Sequence, residues 1–112
     1  MFTTIYVKDI CQYAMFDTDG MLLRAKMLEV WNAGNSVLLD FDHIGLYATM
    51  FFNASIGWFV MQYDPAEVEA RIKTKNLTPL GQNTYRHSFE NAIAIKNQPN
   101  MQTALSSYTD DE

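Results

Sequence analysis

Two carboxylates at the end of an apolar run are the side chains best placed to do chemistry. Asp40 and Asp42 close the run Val37-Leu38-Leu39 and are separated by a single residue. Residues i and i+2 of an extended strand point to the same side, so both carboxylates would meet at one end of the strand. Such a pair can share the hydrolysis of a phosphate ester, one carboxylate acting as the nucleophile and the other as the general acid.

Haloacid-dehalogenase-type phosphatases use this arrangement, and the neighbouring residues decide how far the likeness extends. The residues after Asp42 are His43-Ile44, which do not supply the Thr or Val usual two positions later in those enzymes. No acidic pair for Mg²⁺ follows a later predicted strand, because Asp110 and Asp111 lie in a polar tail. We therefore expect both carboxylates of the motif to sit at a solvated strand end, and the phosphatase using Asp40 and Asp42 is the weakest of three interpretations.

His43 stands beside the two carboxylates and suggests a metal or acid–base site. The other histidine, His87, falls on a distant predicted helix, so Asp40, Asp42 and His43 would lack a fourth designed ligand. Cys11 is the only cysteine, which excludes an intrachain disulfide and a cysteine-based zinc site. We expect His43 to be a hydrogen-bonded loop residue, and we expect no metal, no cofactor and no catalytic residues.

Thr49 begins the apolar helix that should follow this strand and its loop. A hydroxyl at that place has two uses. It can cap the helix by accepting a hydrogen bond from a free backbone N–H, or it can accept a phosphate, which the same N–H groups would stabilise. The spacing alone favours the cap.

Four segments with strand patterns must support these side chains. Residues 3–9 alternate between apolar and polar side chains, and residues 36–41 form a short apolar run between turn residues, which predicts a central strand covered on both faces. Residues 72–77 place Lys73 and Lys75 on one side, as an edge strand would. Residues 12–16 are a weaker candidate for a further strand.

Apolar residues at helical spacing, together with end signals, predict four helices. The first follows the turn residues 17–20 and ends at Gly34, and the second covers about residues 49–63. Two more begin at Asp64-Pro65 and Thr78-Pro79, each with a capping residue before a proline. This order of strands and helices indicates a layered α/β sandwich.

Size and charge limit the functions that fit. The 112 residues suit one domain, which we place at residues 1–97, followed by a polar acidic tail over residues 98–112 that we expect to be flexible. A net charge of −5 disfavours nucleic acid and anionic membrane surfaces. The first residues lack the basic start of a signal peptide, and polar residues interrupt the most apolar stretch, 44–61. We therefore expect no membrane span and a cytoplasmic location.

Several stretches together resemble a known family. They are Val7-Lys8-Asp9-Ile10, the strand Val37-Leu38-Leu39-Asp40-Phe41-Asp42-His43-Ile44, the helix segment Phe52-Asn53-Ala54-Ser55-Ile56-Gly57, Lys75-Asn76-Leu77-Thr78 and Phe89-Glu90-Asn91-Ala92. Over about residues 3–96 they are similar to the STAS-like family of small bacterial proteins known as DUF4325. The resemblance implies an α/β fold with a mixed sheet of about four strands, packed with about four helices.

The likeness also implies a regulatory role without catalysis. The best-known STAS domains are anti-anti-sigma factors, which bind a GHKL-type ATP-binding kinase and are switched by phosphorylation of a Ser or Thr at the start of the helix after the central strand. Thr49 falls at that place. Those regulators usually carry Asp before the acceptor and Ser-Gly after it, whereas this sequence has Ala48 and Met50-Phe51.

The sequence thus predicts a protein-interaction module that contacts its partner through the loop after the central strand. The candidate contact residues are Asp42, His43, Tyr47, Met50 and Phe51, of which the last three are either surface anchors or ordinary core residues. The alternative within the same fold is a structural domain that forms a homodimer or a larger homo-oligomer.

Overall fold

The chain folds around a three-stranded sheet in which every strand runs parallel to its neighbour. The computed structural model describes residues 1–98. Its strands are β1 (Phe2–Tyr6), β2 (Ser36–Asp40) and β3 (Ile72–Lys75), in the order β1-β2-β3. The expected mixed sheet of about four strands is wrong within this part of the chain. Because helices connect successive strands, each strand returns in the same direction as the last.

Residues 12–16 do not form the expected additional strand. Only Ala14 pairs, in an isolated bridge with Tyr47, through the bonds Ala14 N–H to Leu46 O (3.0 Å) and Ala48 N–H to Ala14 O (2.8 Å). A 3₁₀ turn at Val7–Asp9 ends the extended backbone after β1, and a helix already begins at Asp17. The segment between them is therefore too short for a ladder, although its one bridge ties it to the loop after β2.

Within residues 1–98 the structure contains the four helices that the sequence predicts. In this count the contiguous segments of residues 49–62 are one helix with a π-helical turn in its middle. The helical segments are α1 (Asp17–Asn32), α2 (Thr49–Phe52), the π turn (Asn53–Gly57), α3 (Trp58–Gln62), α4 (Pro65–Arg71) and α5 (Pro79–Lys96). None of the helices within residues 1–98 is both long and apolar enough to cross a membrane. The predicted tail, apart from its first residue, lies outside the described residues.

Most of the predicted helix ends correspond to the observed ones, but residues 17–20, predicted as a turn before the first helix, already form the first turn of α1. Thr78 caps α5 by accepting from the Gly81 N–H at 3.1 Å, and Gly34 follows α1 with a φ of 85°. Asp64 occupies the capping position of α4, but its side chain makes no capping bond. These local signals fix where the helices turn back toward the sheet.

The core lies between one face of the sheet and the helices. Val37 and Leu39 of β2 and Ile72 of β3 point into it, where they meet apolar residues from α1 and from the helix 49–62. The opposite face of β2 is only partly covered, since Ser36 and Leu38 remain half-buried. The prediction that this strand is covered on both faces therefore holds for one face.

The helix α1 crosses the helix 49–62 so closely that only glycine fits at the crossing point. A Cβ atom on Gly20 would lie 2.4 Å from the Phe51 carbonyl oxygen and 2.9 Å from Ala54 Cβ. Ser55, one turn further along, is buried and donates its hydroxyl to the same Phe51 carbonyl at 3.0 Å. Small residues of both helices, Gly20 and Ala54, thus lie at the contact between them.

We expect Gly20→Ala to destabilise the protein, because the added methyl group must displace backbone rather than a flexible side chain. Overpacking of this kind should lower the free energy of unfolding by about 1–3 kcal/mol. Urea denaturation followed by circular dichroism measures the change. Gly45→Ala is the control, because its Cβ would meet nothing within 4 Å. Equal stability of the Gly20 variant and the wild type would show that the crossing is looser than described.

Candidate functional site

The predicted site residues lie at the carboxyl ends of the parallel strands, the side of such sheets where ligands usually bind. Asp40 ends β2, and its Oδ1 accepts two hydrogen bonds: one from the Asp42 backbone N–H at 3.0 Å and one from Asn76 Nδ2 at 2.9 Å. Asn76 follows β3 with a φ of 66°. The carboxylate therefore joins the segment after the central strand to the segment after the edge strand.

Hydrogen bonding keeps Asp40 ionised. The bond from the Asn76 amide is the largest influence and holds the pKa of Asp40 below its ordinary value, with smaller contributions from the Asp42 N–H and from Lys75 and Lys8, while burial opposes them. The residue is only 7% exposed, so the expectation that both carboxylates of the motif sit at a solvated strand end is wrong for Asp40. A nucleophile must be reached by its substrate, so this burial counts against the phosphatase interpretation.

Asp42 and His43 form an exposed pair on the loop after β2. His43 Nδ1 lies 3.1 Å from Asp42 Oδ2, and both side chains are more than half exposed. A contact of this kind contributes little to stability. Within residues 1–98 no group of three His, Cys, Asp or Glu side chains is placed to hold a metal ion. The pair can offer charge and hydrogen bonds to a partner at the surface.

Tyr47 and Phe51 belong mainly to the core. The Tyr47 hydroxyl donates to the Ile44 carbonyl at 2.6 Å, and its ring packs against Phe41 and Phe52. Phe51 is fully buried, with its ring 5.4 Å from that of Phe52. The hypothesis that Phe51 is a surface anchor is therefore wrong, because its position in the first helical turn directs it beneath α1. Met50, its neighbour, is 52% exposed.

Thr49 is exposed at the first position of α2, one residue beyond the capping position. Ala48 occupies that position in an extended conformation, held by its N–H bond to Ala14, and no side chain caps the helix. The expectation that Thr49 is the cap is therefore wrong by one residue. Its hydroxyl makes no hydrogen bond within residues 1–98, and the Phe51 N–H of the same turn bonds to the Ala48 carbonyl at 3.1 Å.

Apart from Met50, the exposed apolar side chains near this helix start were not singled out by the sequence analysis, and they lie on segments that hydrogen bonds tie to it. Hydrogen bonds from Ala14 join the loop of residues 10–16 to that of residues 41–48, and the Tyr47 hydroxyl accepts from the Thr78 N–H, at the start of α5, at 3.4 Å. These three segments and the first turn of α2 carry five large apolar side chains that are 41–64% exposed. We name them the carboxyl-end surface: Tyr13, Phe16, Leu46, Met50 and Leu80.

Periodicity cannot find such a surface. Most of its side chains lie in loops or at helix starts, where an exposed apolar residue has the same appearance in sequence as a buried one. Only the pairing of Ala14 with the loop after β2, which is a long-range contact, brings the segments together.

Comparison with known proteins identifies the family. A family model described as a STAS-like domain of unknown function (DUF4325) matches residues 19–82, which is more than half of the chain. The chain belongs to the STAS-like DUF4325 family. The match runs from the first turn of α1 to the first turn of α5, so this STAS-like region includes Asp40, Thr49 and Asn76. No curated protein and no solved structure gives a significant match.

We expect Asn76→Gly to weaken the STAS-like domain at neutral pH. Glycine accepts the positive φ, so the variant removes the bond to Asp40 without backbone strain. Losing a hydrogen bond to a charged group should cost about 1.5–3 kcal/mol. Because the folded-state pKa of Asp40 is lowered, this contribution is present above the unfolded-state pKa and is lost as the pH falls through the folded-state value.

Denaturation at neutral pH and at about pH 3, below the ordinary pKa of an aspartate near 3.9, measures this difference. The difference in the free energy of unfolding between wild type and Asn76→Gly should be smaller at the lower pH. The control is the same substitution in an Asp40→Asn background, where residue 40 cannot ionise and the effect of Asn76→Gly on stability should not change with pH. If the difference in the free energy of unfolding between wild type and Asn76→Gly does not change with pH, the contribution of the Asn76 hydrogen bond does not depend on the ionisation of Asp40.

Proposed function

We propose that this STAS-like domain is a regulatory module that binds another protein through its carboxyl-end surface and catalyses no reaction. The observation that carries the proposal is the group of exposed apolar side chains at the helix start, which includes Leu46 and Met50. Exposed apolar residues gathered at one place on a folded domain mark an interaction site more often than scattered ones do. Asp42 and His43, exposed on the same loop, add polar groups of the kind found at an interface rim.

The chemistry of the remaining polar groups supports binding rather than catalysis. The Asp40 carboxylate is buried and already accepts two hydrogen bonds, so it is engaged in holding two loops together. Asp42 and His43 are paired with each other and exposed to solvent. A general acid or base needs a defined position against a bound substrate, which an exposed loop pair does not provide.

A GHKL-type ATP-binding kinase is the partner class we propose, on the basis of the similarity to anti-anti-sigma STAS domains. Thr49 supports this proposal by its placement, with an exposed side chain at the first position of the helix and next to the exposed Met50. A phosphate on Thr49 would be stabilised by the dipole at the helix N-terminus and would add about −1.5 to −2 charge. The same charge would stand among apolar side chains and weaken the docking of an apolar partner.

We expect Thr49→Glu to abolish capture of this partner in an affinity pull-down from native lysate, followed by mass spectrometry. The carboxylate places a negative charge where the phosphate would lie, next to Met50. Ala66→Glu is the matched control, because it adds the same charge to the exposed first turn of α4, beyond the other end of the helix 49–62. Wild type and Ala66→Glu should retain an ATP-binding kinase-like protein that Thr49→Glu loses.

Two other results would change the proposal. If one protein is held equally by all three forms, the domain binds a partner but is not switched at Thr49. If the wild type recovers only further copies of itself, the homo-oligomeric structural role replaces the regulatory one.

A further inference from the structure

The face of the sheet that points away from the helices is open within residues 1–98. In β1, Phe2 and Tyr6 lie on this face and are 48% and 47% exposed. The register places them beside Ser36 and Asp40 of β2, with Leu38 half-buried between these two. Parallel sheets are almost always covered on both faces, because their crossover connections usually place helices on each face. We therefore expect another segment or molecule to pack on this open face, which carries Phe2, Leu38 and Tyr6.

The charge on this face indicates the chemistry of the cover. Register places Lys73 opposite Leu38 and Lys75 opposite Asp40, so both lysines share the open face, where they are exposed. Lys8, which follows β1, is exposed and close enough to Asp40 to influence its pKa. The only carboxylate that the strands place on the face is Asp40, which is buried. The side chains that the strands place on this face thus carry a net positive charge, two lysines against one carboxylate, although the whole chain has a net charge of −5.

A second copy of the chain is a poor cover for this face. Stacking two open faces would bring the lysines of one copy toward those of the other, and like charges across an interface are unfavourable. An acidic segment with some apolar side chains is complementary to the face. The sequence beyond residue 98 has this composition: residues 99–112 contain Met101, Leu105 and Tyr108, three carboxylates at 110–112, and no Lys or Arg.

The position of the last described helix makes this segment able to reach the face. Lys96, at the end of α5, donates to the carbonyls of Val60 (3.1 Å) and Tyr63 (2.7 Å), at the end of α3. The Tyr63 ring lies 4.8 Å from that of Trp31, near the amino end of β2. Fourteen residues can span at most about 46–50 Å when fully extended, whereas a strand of five residues is about 17 Å long. The segment is therefore long enough to pass the sheet edge and lie along the open face.

We propose that residues 99–112 bind the open face of the sheet of their own chain, placing apolar side chains against Phe2 and Leu38 and carboxylates near Lys73 and Lys75. This contact is separate from the carboxyl-end surface and does not depend on the proposed function. It is an intramolecular interaction between an acidic segment and a basic, apolar sheet face.

A zero-length carbodiimide cross-link on the full chain tests the proposal. The reagent joins a carboxylate to an amine only when the two are in contact, and peptide mapping of the monomer identifies the partners. We expect cross-links from residues 110–112 to Lys73 or Lys75. Lys26, exposed on α1 on the helical side of the molecule, is the internal control and should stay unmodified by these carboxylates.

A pair of serine variants tests the apolar part of the contact. Phe2→Ser should reduce the yield of the Lys73 and Lys75 cross-links, while Leu22→Ser, at a similarly exposed apolar residue on α1, should leave it unchanged. Added salt should reduce the yield as well, because it screens the charges. Cross-links that occur only in dimers would show that a second copy covers the face. Cross-links that include Lys26 equally, or none to Lys73 and Lys75, would overturn the proposal.

Discussion

The Asn76 amide donates a hydrogen bond of 2.9 Å to the Asp40 carboxylate. This bond connects the two segments that follow the carboxyl ends of β2 and β3. One of these segments carries Leu46 and leads to Thr49, and the other leads to the start of α5 and Leu80. Because hydrogen bonds offset the cost of burying a carboxylate, the loop that begins at Asp42 keeps its backbone N–H turned toward Asp40 Oδ1. The carboxyl-end surface depends on this arrangement for its shape.

A second set of contacts, made by Arg71, stabilises the amino end of the sheet, while the carboxyl end remains open for binding. The Arg71 guanidinium donates to the carbonyls of Trp31 (3.0 Å) and Asn35 (2.8 Å) and lies 3.8 Å from the centre of the Trp31 ring. It thereby joins α4 to the connection between α1 and β2. The Arg71 contacts hold elements together at the amino end of the sheet, whereas the segments at the carboxyl end carry Leu46, Met50 and Leu80 as exposed apolar side chains.

Much of the fold follows from local patterns, whereas the surface does not. The apolar run at residues 36–41 correctly predicts the central strand, the lysines at 73 and 75 the edge strand, and Thr78-Pro79 the start of α5. The missing fourth strand and the burial of Phe51 could not be predicted, because both depend on which distant segment lies alongside. A shift of one residue at a helix start likewise moved Thr49 out of the capping position and left its hydroxyl exposed.

Site-specific photo-cross-linking in cells tests most directly whether the carboxyl-end surface contacts another protein. A photoreactive amino acid would be incorporated at position 50, which is exposed at the start of the helix 49–62, or at position 62, which is exposed at its far end. The account predicts an adduct with a second protein from position 50 and none from position 62. The same adducts from both positions, or an adduct from position 62 alone, would contradict a binding role for this surface.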